Sequence, residues 1–113
     1  MTLDLIDANV LMTDEIAAQL QRLESVTLPE TERPIVVKYF TPDAQCTWYI
    51  LDGENYDGDW CLFGLCDLGM GFPELGSVML SDLQSVRGKL GLPVERDLHY
   101  TGTLADARVE VKR

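Results

Sequence analysis

"IVVKYFTPDAQCTWYILDGENYDGDWCLFGLC", residues 35–66, decides the fold. It holds three apolar runs rich in β-branched and aromatic residues: 35–40, 46–51 and 60–66. Each has the length of a strand, and none sustains a helical period. The first gap, "TPDAQ", contains Pro42 and Asp43, which suit a short turn. The second, "DGENYDGD", is longer and very polar, and reads as a solvated hairpin tip. The three runs therefore predict an antiparallel meander. They are apolar at adjacent positions, so both faces of the sheet need a cover.

Working outward, "TDEIAAQLQRLESV" (13–26) reads as an amphipathic helix. Thr13 is its cap, Asp14 and Glu15 suit its positive end, and Ile16, Leu20 and Leu23 share a face. Pro29 and Pro34 mark the linker that follows. On the other side, "GSVML" (76–80) reads as a fourth strand, and "SDLQSVRG" (81–88) as a second helix. Ser81 and Gln84 have capping-box spacing there, and Gly88 is a stop. "GLPVERDLHY" is an extended return. "ARVEVKR" alternates apolar and charged residues and reads as an edge strand or tail. The expected fold is α+β: a small antiparallel sheet of three to five strands with an N-terminal helix and a second helix near 81–88. One domain over 1–113 is expected, with 1–11 flexible and 101–113 an edge strand or tail.

Charge is the strongest compositional signal. The net charge is −10, and it is uneven. Residues 1–59 hold twelve acidic and three basic residues, a net of −9, against seven and six, a net of −1, in 60–113. Direct binding to nucleic acid or to an anionic membrane is disfavoured, because both draw on Lys and Arg. A basic protein surface is the partner such a charge attracts. No apolar run approaches the roughly 20 residues of a membrane span, and the start lacks a basic signal region, so a cytoplasmic location is expected. Three cysteines (Cys46, Cys61, Cys66) without a Cys-x-x-Cys pair argue for buried thiols over a disulfide framework or zinc site.

The glycines of "FGLCDLGMGF" (63–72) raise the question of a phosphate cradle. Gly64 and Gly69 have P-loop spacing, but Met70 and Gly71 stand where Lys and Ser/Thr belong. Gly69 and Gly71 begin a dinucleotide fingerprint whose third glycine is Glu74, next to Pro73, and no helix follows. Asp67 and Glu74 repel phosphate. The loop reads as a glycine-bent turn between strands. An EF-hand starting at Asp52 would need Glu where Phe63 stands, so no calcium loop is assigned. No cofactor, metal or catalytic set is expected from these motifs.

Together, "KYFTPD", "WYILDGE", "FGL", "PELG" and "RGKLGLPVERDL", in that order, resemble the bacterial family known as domain of unknown function 2958, over about residues 35–100. The resemblance implies a small domain carried on plasmids, phages and integrative elements, near antirestriction genes. It implies no enzyme activity and no catalytic residues.

The leading expectation is a non-enzymatic acidic binding protein: an anti-CRISPR or antirestriction inhibitor that docks, as a DNA mimic, on the basic surface of a CRISPR effector or restriction complex. Asp43, Asp52, Glu54, Asp57, Asp59, Asp67 and Glu74 would form its acidic patch. Two alternatives stand beside it. One is a ligand-binding or enzyme domain using loop 67–76 with Asp67, Glu74 and His99 or Arg96. The other is an accessory module that dimerises through a free edge strand, "GSVML" or "ARVEVKR".

Overall fold

Tyr49 and Leu51 face one hydrophobic cluster while Trp48 and Ile50 face another, so "CTWYIL" lies at the centre of a sheet covered on both sides. The computed structural model describes residues 8–22 and 27–111. The elements in chain order are α1 (Asp14–Leu20), a 3-10 turn (Glu30–Glu32), β1 (Val37–Phe40), β2 (Thr47–Tyr56), β3 (Asp59–Asp67), β4 (Glu74–Met79), α2 (Leu80–Ser85), β5 (Glu95–Arg96) and α3 (Leu104–Val111). The five strands form one antiparallel sheet in the order β4-β3-β2-β1-β5. The meander over 35–66 is thus present, extended by one strand on each side. The fold is α+β.

The structure differs from the sequence reading in four places. First, most of the polar "DGENYDGD" stretch is strand. Asp52, Gly53, Glu54 and Asn55 pair with Phe63, Leu62, Cys61 and Trp60, and the turn is only Asp57-Gly58, both at positive φ (53° and 91°). A two-residue turn of this conformation matches the strand twist, and the ladder to an apolar partner strand overrides local polarity. Second, Ser81 makes no box with Gln84. Its amide and hydroxyl donate to the Asp59 carboxylate at 3.1 and 2.7 Å, and α2 ends at Ser85, before Gly88.

Third, 104–111 is a helix and not an edge strand. Thr103 and Asp106 bond reciprocally at its start: the Thr103 amide donates to the Asp106 carboxylate (2.8 Å) and the Asp106 amide to the Thr103 hydroxyl (3.3 Å). Leu104, Ala107 and Val111 pack on the Ile35–Tyr49–Leu51–Leu65 cluster at helical spacing, leaving Val109 outside. Fourth, residues 8–11 are tied down, whereas 1–11 reads as flexible. Leu11 is buried, its carbonyl accepts from the Tyr39 hydroxyl, and the Arg96 amide and Nε donate to the Ala8 and Val10 carbonyls. The earlier part of that segment lies outside the described residues.

The N-terminal helix behaves as its sequence predicts. Thr13 Oγ1 accepts from the Ile16 amide at 3.2 Å, and Ile16 and Leu20 are buried. Leu23 lies outside the described residues. With α2, α1 covers the Trp48–Ile50 face, and α3 covers the opposite face. No described helix is long and apolar enough to cross a membrane.

Candidate functional site

Six of the seven acidic residues fall into two groups at opposite ends of the sheet, and Asp52 lies between them. Asp59 and Asp67 are the two ends of β3, which at about 3.3 Å per residue puts roughly 26 Å between them. Glu54 and Asp57 belong with Asp59 at the β2–β3 hairpin, and Asp52, opposite Phe63 at the middle of β3, lies between the two ends. Asp43 and Glu74 belong with Asp67 at the other end.

Most of these carboxylates already have a partner. Asp52 accepts from the Gly53 amide at 2.8 Å and lies 3.5 Å from the Arg33 guanidinium. Glu54 accepts from the Tyr56 hydroxyl at 2.6 Å, which pushes the phenol's pKa up. Asp57 is a turn residue, and Asp59 holds the start of α2. Asp67 accepts from the Gly69 amide at 3.0 Å. Glu74 stands exposed at the start of β4. Among these, Asp52 and Glu54 share a small cleft with Tyr56, Cys61, Phe63 and Ser77.

Asp43 has a different role. Its Oδ2 accepts from the Leu90 and Leu92 amides at 2.6 and 3.2 Å. Gly91 takes positive φ (79°), and a Cβ on Gly88 would come within 1.6 Å of Asp43 Oδ1. A glycine-shaped anion cradle therefore exists in this chain, at 88–92, and its anion is the protein's own carboxylate.

At the same end of the sheet three loops meet. The 41–46 turn touches loop 88–92 through Asp43, and it touches loop 67–73 through Cys46 Sγ (3.9 Å from the Leu68 carbonyl) and through Gln45, which packs on Gly69. Gly69 and Gly71 sit at positive φ (77° and 82°), the bend that the glycine-rich sequence predicts. That bend turns side chains outward. Leu68 is 53% exposed, Met70 74% and Phe72 79%, and Leu90 and Leu92 project from the neighbouring loop. Beneath Met70 and Phe72 runs an open groove of about 540 Å³, floored by Trp48 and Cys66 and reaching the β4 edge. Burial pushes the Cys66 thiol's pKa up, away from nucleophilic character. The sequence reading centred on Asp67 and Glu74 and passed over these apolar residues. An apolar residue at every second position of 68–72, between glycines, was the signal.

The groups named for an enzyme reading do not converge. Arg96 is buried on β5 and His99 follows it, exposed, whereas loop 67–76 adjoins β4. Asp67, the end of β3, is three strand spacings (about 14 Å) from β5, and Glu74 on β4 is four (about 19 Å). Among the described residues, no group of three or more His, Cys, Asp or Glu is placed to hold a metal ion.

A profile described as "Protein of unknown function (DUF2958)" matches residues 11–107. The chain belongs to this family. In this DUF2958 chain the match runs from Leu11, the first buried residue described, to Ala107, the buried centre of α3. "KYFTPD" and "RGKLGLP", two of the pieces that carry the resemblance, meet through the Asp43 carboxylate and loop 88–92. No curated protein and no solved structure matches the chain.

Proposed function

We propose that this DUF2958 protein is a non-enzymatic, cytoplasmic binding module that docks on a basic, nucleic-acid-binding protein, as an anti-defence inhibitor of a CRISPR effector or restriction complex does. One observation carries the reading: a crest of exposed apolar side chains on loops 67–73 and 88–92, both held by the 41–46 turn, in a protein of net charge −10. Contiguous exposed apolar surface marks protein contact sites. The net charge selects a basic partner and speeds encounter, while the crest supplies desolvated contact. Because the carboxylates are spread along the sheet and largely occupied, contact energy comes from the crest. The acids serve as long-range steering more than as a row of phosphate mimics.

The test is competition with DNA for such effectors. The protein is expected to displace DNA from its target, and Met70→Asp with Phe72→Asp to lose at least tenfold in affinity at unchanged Tm, since both side chains are largely solvent-exposed. Full displacement by the double variant would remove the crest from the interface.

A further inference from the structure

We propose, resting on the binding reading above, that the partner supplies an extended segment which adds to β4 as a sixth strand, and that this segment has an uncharged, β-branched centre with Lys or Arg at both ends. The two edges of the sheet are not equivalent. The β5 edge is two residues long, and its Arg96 amide already donates to the Ala8 carbonyl at 2.6 Å. The β4 edge runs for six residues and has no strand partner on its outer side among the described residues. Unpaired edges of this length are templates for strand addition unless guarded by a Lys, a bulge or a covering element. β4, "ELGSVM", has no Lys or Arg and no recorded bulge against β3.

The chemistry of the occupant follows from what brackets the edge. Glu74 opens β4, with Asp67 across the loop, and exposed Asp82 follows its other end on α2. Leu75, Gly76, Ser77 and Val78 between them are uncharged. The groove reaches this edge from the crest and offers apolar walls to alternate side chains of an added strand. A matching segment is about six residues, or roughly 20 Å, long. A second copy of the chain fits poorly, because two molecules of net charge −10 repel.

The test uses the full chain and a ten-residue peptide of alternating valine and threonine, flanked by two lysines at each end. On binding, amide exchange of residues 74–79 is expected to slow at least tenfold. A peptide N-methylated at alternate residues is expected to bind at least tenfold more weakly, and one with glutamates for lysines likewise. Binding without protection of 74–79, equal binding of the N-methylated peptide, or no binding of the lysine peptide overturns strand addition. If basic effectors are still displaced from DNA in that case, the docking mode alone has failed. If they are not, the binding reading has failed with it.

Discussion

Gly64 shows how a residue can be noticed for the wrong reason. Its spacing to Gly69 raises a phosphate loop, yet it sits in the middle of β3 opposite Ile50, beside the register shift between Ile50 and Asp52. A Cβ there would lie 1.9 Å from the Tyr49 carbonyl oxygen and 2.8 Å from Ile50 Cα. Both are backbone atoms that cannot step aside. Gly64→Ala is therefore expected to cost about 3 kcal/mol, the upper part of the overpacking range, read as a drop of about 10 °C in Tm. An unchanged Tm would mean that the strands part more easily than this packing implies. Asp43 is the second such residue. Removing its carboxylate (Asp43→Ala) leaves the Leu90 and Leu92 amides without their charged acceptor, at an expected cost of about 1.5–3 kcal/mol. Hydrogen exchange at those two amides should accelerate selectively, and exchange no faster than in the parent protein would contradict the clasp. The sequence placed Asp43 in a turn correctly. It gave no sign that the carboxylate reaches a loop 45 residues onward, because such a contact depends on tertiary geometry.

At the scale of elements, α3 depends on a polar lock as well as on Leu104 and Ala107. Lys38 on β1 pairs with Glu110 and lies 4.0 Å from Asp97. Its ammonium sits 5.3 and 5.0 Å from the ring centres of Tyr49 and Tyr100, which meet edge to face. Burial, then the nearby Glu110 carboxylate, raises the phenol of Tyr49 well above its ordinary range and pushes Tyr100 up to about 12. Between pH 10 and 12 the unfolded chain has released the Tyr100 proton while the native protein keeps it. The native state then binds more protons, and stability falls as pH rises. Urea midpoints are expected to hold up to about pH 10 and decline above it, with a shallower decline in Tyr100→Phe. Equal slopes in the two proteins would detach Tyr100 from the lock.

The legible elements are those with a local signal. The three apolar runs became β1, β2 and β3, and Thr13 caps α1. The alternation in "ARVEVKR" misled because a helix with one exposed valine also alternates over a few residues, and the sequence reading passed over the Thr103–Asp106 spacing that closes the helix start. The acidic stretch 52–56 read as loop because its composition is polar. Its strand state comes from the partner strand, which composition does not reveal.

At the scale of the whole molecule, charge and topology divide the work. The sheet carries the acidic hairpin to one end and the two apolar-tipped loops to the other, roughly 26 Å apart along β3. Net charge was fully legible in the sequence. Which carboxylates remain available was not, since five of the seven accept hydrogen bonds within the protein. Charge steering and apolar contact respond differently to salt. Screening shortens the reach of the first to about 10 Å at 0.1 M, and leaves the second almost unaffected. The most direct measurement is the rate and affinity of binding to a CRISPR or restriction effector between 50 and 500 mM NaCl. The account predicts an association rate that falls by tenfold or more across this range, a dissociation rate nearly constant with salt, and a dissociation rate raised by Phe72→Asp. No displacement of DNA from any such effector at 50 mM, or an association rate indifferent to salt, would contradict it.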